Sequence, residues 1–268
     1  MSEKQQGQLN MAPIGVLDSG LGGLSVLREA IRILPGEDFI YYGDSLHAPY
    51  GTKSVEEIRD LTFCAAEYLL QKQVKALVVA CNTATAAAIG ELRETYPDMV
   101  IVGIEPAIRP AVLEGEGGEI LMLATPMTIT QDKYHHLLEK YEDQAVIRSV
   151  PCDGLMEFVE SGVLSGPELD RYLEEHLKPY LNEKTETLVL GCTHYPFLKD
   201  GMLSYLERNG YGKRVKILDG SLGTVKELRR RLAVKGLLSG KESGGEVTLC
   251  NSLPGEEILE RSRMILMG

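Results

Sequence analysis

Two of the five cysteines sit in matched surroundings, LVVACNTAT around Cys81 and LVLGCTHYP around Cys192. Each closes an apolar, β-branched run and opens onto Asn-Thr or Thr-His. A thiol so placed can serve as acid or base, because its free pKa of about 8.5 falls at a helix N-terminus. Two such thiols suit a reaction that removes a proton from one face of a weakly acidic carbon and returns one to the other face. One would be thiolate while the other is thiol, and the roles would swap with direction. Asn82, Thr83 and Thr193 follow the cysteines directly, and their side chains and amides can receive a carboxylate at each helix start. Asp18 and His194 are polarisable partners that can tune or orient the thiols.

Each of these residues also has a plainer reading. A lone strand-end cysteine is ordinarily a small buried apolar residue; it is the matched pair that points to chemistry. Asp18-Ser19-Gly20 also reads as a turn with a helix cap. His194 also reads as a satisfied structural histidine. Gly20, Gly22 and Gly23 supply only part of a G-x-G-x-x-G phosphate-cradling turn. Cys64 shares a helix face with Leu61 and Tyr68 and is read as core. Cys152 and Cys250 lack a polar constellation and are read as structural. Tyr134-His135-His136 reads as helix surface, since adjacent histidines do not share a face for a metal. A thiol hydrolase built on Cys192 and His194 alone would leave a second, near-equivalent cysteine unexplained.

The elements that must hold these residues alternate between β and α. Strands are expected at Ile14–Leu17, Phe39–Tyr42, Ala76–Ala80, Val100–Val102, Ile120–Leu123, Ala145–Val150, Leu188–Leu190, Val215–Leu218 and Val247–Cys250. Helices are expected over 22–34, from Ser54 with Glu57 completing a capping box, after Cys81, after Leu123 to about Tyr141, from about Asp153 and Pro167, and from Ser221 and about Glu256. The turn-rich stretch 43–53 reads as a loop. Alternation at this spacing argues for parallel sheets with helices on both faces. Asp18 and Cys81 lie 63 residues apart, Thr125 and Cys192 lie 67 apart, and all four follow strands, as in a diverged repeat. Open parallel sheets bind ligands at the carboxyl ends of their strands, so two such halves would bring both cysteines to one shared cleft.

Composition narrows the class of partner. With 28 Lys plus Arg against 39 Asp plus Glu, the net charge is −11, which disfavours nucleic acid. No stretch approaches the length of a membrane span. The first ten residues, MSEKQQGQLN, are polar, lack the apolar core of a signal peptide and read as a disordered lead-in. Five cysteines, an odd number with no CxxC, argue against a disulfide framework or a zinc site and for a cytoplasmic protein with reduced thiols.

From Ile14 onward the chain carries GVLDSGLGGLSVL, YYGDSLHAPYG, LVVACNTAT, VGIEPAI, LATPMTI and LGCTHYPFL, in that order. In these segments it resembles the glutamate racemases of the aspartate/glutamate racemase superfamily. ACNTAT with GCTHYP is the discriminating pair, and aspartate racemases typically carry a glutamate where His194 stands. The resemblance implies two pseudo-symmetric parallel-sheet α/β domains with the active site in the cleft between them, residues 11–106 plus 216–268 forming one and 107–215 the other. It implies that Cys192 takes the α-proton of L-glutamate and Cys81 protonates the opposite face, the reverse holding for the D isomer. Asp18 and Ser19 would lie beside Cys81 at the substrate amino end, and His194 would support Cys192. Tyr50, Gly51, Asn82, Thr83 and Thr193 would hold the two carboxylates, Thr125 and Thr128 would line the same pocket, and Glu105 would lie near it. It further implies no pyridoxal phosphate and no metal, a homodimer, and a role in supplying D-glutamate for bacterial peptidoglycan. The chain departs from the pattern GDTARxPYG at Ser45, Leu46 and His47, where a basic side chain is lost, and at Ala124, where glycine is common.

Overall fold

The computed structural model describes residues 9–130, 132–212 and 214–267, and the side chain of Lys133 is not among them. Most of the lead-in, residues 1–8, lies outside the described residues; Leu9 and Asn10, expected as part of it, are helical. The chain divides into two compact units, 1–105 with 221–268, and 106–220.

The first unit is built on β1 (Ile14–Asp18), β2 (Phe39–Gly43), β3 (Ala76–Val79), β4 (Val100–Gly103) and β9 (Val247–Asn251). They form one parallel sheet in the order β4-β3-β1-β2-β9. Helices α2 (Val55–Gln71) and α3 (Asn82–Thr95) pack together on one face over Leu17, Leu77, Val79 and Ile101. Helix α1 (Leu24–Ile33) packs against α10 (Ser221–Val234) and α11 (Glu256–Met267), which come from the returning C-terminal segment. The capping box at Ser54 forms in full: Ser54 Oγ accepts from the Glu57 N–H at 3.2 Å, and Glu57 Oε2 accepts from the Ser54 N–H at 3.0 Å. Cys64 is exposed rather than core, because Ile58, Thr62, Ala65, Ala66 and Leu69 make the buried stripe and Cys64 lies off it.

The second unit carries β5 (Glu119–Ala124), β6 (Ile147–Pro151), β7 (Thr185–Leu190) and β8 (Lys216–Asp219), parallel throughout, in the order β6-β5-β7-β8. Alternation along β5 feeds two cores. Leu121 and Leu123 pack on one face, and Ile120, Met122 and Ala124 on the other. Around the sheet run α4 (Ile108–Glu114), α5 (Pro126–Ile129), α6 (Asp132–Glu139), α7 (Leu155–Glu160), α8 (Pro167–His176) and α9 (Lys199–Arg208).

Three expectations are corrected here. Residues 216–220 belong to this unit and not to the returning segment, because β8 pairs with β7 from Thr187↔Lys216 to Leu190↔Asp219. The single helix expected to follow β5 and reach about Tyr141 is two pieces, Pro126–Ile129 and Asp132–Glu139, with Thr130 in a turn after the first. Tyr134, read as surface, is 4% exposed and its hydroxyl meets Ser149 Oγ at 2.5 Å; His135 and His136 are exposed.

Candidate active site

In the first unit the chemistry collects at the carboxyl ends of β1, β2 and β3. Cys81 follows β3 and is itself the N-cap of α3, with extended backbone (φ −80°, ψ 125°) and a sulfur that accepts from the Ala84 N–H at 3.4 Å. Ser19 Oγ donates to the same sulfur at 3.4 Å. Both donors therefore meet the sulfur at the positive end of a fourteen-residue helix. Asp18, 1% exposed, ends β1, and its Oδ2 accepts from the Gly20 N–H at 2.9 Å. The segment is therefore a turn but not the helix cap of its plainer reading, since Gly23 is the N-cap of α1 and no side chain caps it, and that turn delivers Ser19 to Cys81. Asn82 and Thr83 open α3 at 8% and 7% exposure, and Asn82 Oδ1 is buried with no hydrogen-bond partner among the described residues. Buried acceptors are rarely left so unless something else supplies the donor.

Tyr50 and Gly51 sit in a short 3-10 turn, Tyr50–Thr52. The Tyr50 hydroxyl donates to Asp44 Oδ2 at 2.7 Å, so the phenol's one proton is committed within the protein. Burial, then the Asp44 bond, pushes that phenol well above its ordinary range. Asp44 is a residue that the sequence reading passed over. It is 3% exposed, and His47 Nδ1 lies 2.8 and 3.0 Å from its two oxygens. The loop is tied to the returning segment, where Leu46 N–H donates to Ser252 Oγ and Asn251 Nδ2 donates to Ser45 Oγ, both at 2.9 Å. Glu105, at the end of this unit's first segment, is exposed and joins none of these contacts; its charge is felt by Arg93.

In the second unit Cys192 follows β7 and Thr125 follows β5, on neighbouring strands paired up to Leu123↔Leu190. Cys192 does not begin an α-helix as expected. A 3-10 turn, Tyr195–Leu198, intervenes before α9, with Tyr195 buried and its hydroxyl donating to the Cys152 carbonyl at 3.0 Å. Cys192 has a different support: its Sγ lies 3.7 Å from His194 Nδ1, and His194 Nε2 lies 2.8 Å from Glu160 Oε1. His194 is 2% exposed, so Glu160 orients a buried ring. A neutral ring that donates from Nε2 to Glu160 would present its unprotonated Nδ1 to the sulfur. Glu160 is the second residue missed by the sequence reading, because 34 positions separate it from His194 and no local pattern joins them. Thr193 is 3% exposed. Thr125 caps α5, its Oγ1 accepting from the Thr128 N–H at 3.3 Å and meeting Thr128 Oγ1 at 2.9 Å. Cys152 is buried at 3% exposure, and burial, with Cys192 next, pushes its thiol up to about 12, as suits a structural residue.

Strand-end thiols carried on two parallel α/β units, each with its own polar support, define the arrangement. A family profile described as Asp/Glu/Hydantoin racemase matches residues 14–228. A glutamate racemase of Clostridium botulinum is 50% identical over 254 residues, covering 95% of this chain and 96% of its own. The crystal structure of a glutamate racemase isoform from Bacillus anthracis superposes with a TM-score of 0.85 at 34% identity, covering 96% of this chain and 94% of that one. That of the Francisella tularensis glutamate racemase, in complex with D-glutamate, gives 0.82 at 31% identity, covering 97% and 95%. The chain belongs to the Asp/Glu/Hydantoin racemase family, on its glutamate racemase branch.

Proposed function

We propose that this enzyme interconverts L- and D-glutamate by a two-base mechanism in which Cys192 and Cys81 are the opposed acid/base pair. In the L-to-D direction the Cys192 thiolate takes the α-proton, and the electron pair of the broken C–H bond is held on the carbon and its carboxylate. The Cys81 thiol then delivers its proton to the opposite face and is left as thiolate. The D-to-L direction runs the same steps in reverse. The observation that carries this reading is the independent support of each sulfur, by Ser19 and the Ala84 amide at Cys81 and by His194 with Glu160 at Cys192.

The remaining residues take binding roles on this reading. Asp18 and Ser19 stand at the substrate amino end, and the unpartnered Asn82 Oδ1 is an acceptor for an ammonium N–H. Thr83, Thr193, Thr125, Thr128 and the backbone of Tyr50 and Gly51 hold the carboxylates. The thiols move the protons themselves and draw on no cofactor. The product D-glutamate would serve peptidoglycan synthesis, and the working form would be a cytoplasmic homodimer. Among the described residues, no helix is long and apolar enough to cross a membrane.

Heavy water tests the mechanism. Either unlabelled isomer should yield product carrying deuterium at the α-carbon without added cofactor. Cys81→Ser and Cys192→Ser should each slow racemisation by about a hundredfold or more. Racemisation unaffected by Cys81→Ser would overturn the two-thiol reading.

A further inference from the structure

A groove of about 530 Å³ runs along α10 where it meets the last turn of α1. Leu222, Lys226, Arg229, Arg230 and Ala233 follow one another at helical spacing, so the groove follows one stripe of α10 over about three turns. Arg32 enters from α1. Four cations therefore line one surface groove of a chain whose net charge is −11.

Two of the four have carboxylate partners. Arg32 is bound by Glu29 at 2.6 Å, and Arg230 by Glu227 at 2.7 Å. Glu227 is also held by Arg231 at 2.7 Å, so one carboxylate serves two guanidiniums. The Arg230 bond first, with help from Arg231, lowers its carboxyl to about 2. Lys226 and Arg229 have no carboxylate or hydrogen-bond partner among the described residues. They are three positions apart on one helix, where side chains are neighbours and like charges repel. A bound dianion would relieve that repulsion, the guanidinium fork meeting two of its oxygens and the ammonium a third. Ile33, Leu222 and Ala233 supply an apolar floor beside the charges.

We infer that the groove between α1 and α10 is a binding site for a small organic phosphate, a dianionic phosphoryl group joined to an apolar body. The phosphoryl group would sit on Lys226 and Arg229, and the body on Ile33 and Leu222. No residue of the proposed catalytic machinery lines the groove, so its occupancy can be tested separately from racemisation.

The test uses the full chain and three probes: phenyl phosphate, inorganic phosphate, and benzoate, which has a ring and one charge. Calorimetry at about 50 mM salt leaves local charge effects largely unscreened. Phenyl phosphate should bind at least about tenfold more tightly than either other probe. The double variant Lys226→Gln/Arg229→Gln should lose about tenfold or more for phenyl phosphate while keeping its circular dichroism and racemase rate. Equal binding of inorganic phosphate would remove the apolar floor from the site, and equal binding of benzoate would remove dianion recognition; either overturns the inference. So does phenyl phosphate affinity unchanged in the double variant.

Discussion

The two sulfurs are supported by different chemistry although their sequence surroundings match. Cys81 has a helix N-terminus and a serine hydroxyl, and Cys192 has a histidine held by a carboxylate. Their responses to substitution should therefore differ. Glu160→Gln keeps an oxygen near His194 but removes the charge that sets the ring's tautomer and orientation. We expect kcat with L-glutamate to fall by about tenfold or more, with KM changed far less, because the proposed mechanism makes Cys192 the base in that direction. Initial rates in both directions check this. An unchanged kcat would leave Glu160 as a surface partner of a structural histidine.

At the scale of elements, close approach decides which residues can stand between a strand and the helix that follows. Gly23 precedes α1 with φ −63°, open to any residue, so its requirement is steric. A Cβ there would lie 2.6 Å from Asp18 Cβ and 2.9 Å from Ala80 Cβ. Gly23→Ala should therefore displace the turn that brings Ser19 to Cys81. The expected result is a loss of about 1–3 kcal/mol of stability and at least a tenfold loss of kcat/KM, read by urea unfolding and steady-state rates. Gly191 is placed similarly, where a Cβ would meet Met122 Cε at 2.2 Å and the Leu123 carbonyl oxygen at 2.8 Å. The element boundaries were largely legible because apolar runs, the Ser54 box and Pro167 each act locally. The break after Ile129 was not, because no glycine or proline marks it.

At the scale of the whole molecule, buried titratable groups set the limits of stability. Lys75 Nζ, fully buried, donates to Glu37 Oε2 and to the Asn10 carbonyl, both at 2.5 Å, and Glu37 Oε1 accepts from the Ser239 N–H at 2.8 Å. One ion pair thus ties the start of the described chain, the α1–β2 turn, the entry to β3 and the returning segment. Lys75→Ala leaves the Glu37 charge buried without its partner and should cost about 3–5 kcal/mol in urea unfolding. Cys152 sets an alkaline limit. Its thiol titrates at about 12 in the folded protein, against about 8.5 when unfolded, so between those values the unfolded chain holds fewer protons. Stability present below about pH 8.5 is then lost as pH rises, by up to about 1.4 kcal/mol per pH unit. Cys152→Ala should flatten that slope between pH 9 and the onset of tyrosine ionisation at about 10. Unfolding midpoints that fall equally in both proteins would assign the limit elsewhere.

The sequence by itself determined the parallel α/β grammar and the strand-end position of both cysteines, because each is written in neighbouring residues through period, capping and turn chemistry. It also marked Asp18 and Ser19, whose turn is local. Only the tertiary structure decided that Ser19 meets Cys81 across 62 positions, that Glu160 holds His194, that Asp44 takes the Tyr50 hydroxyl, and that β8 stays with the second sheet. Apart from the Asp44–Tyr50 bond, which closes a loop six residues long, these are contacts between segments distant in the chain. They follow from register and burial across a sheet, which no local pattern encodes.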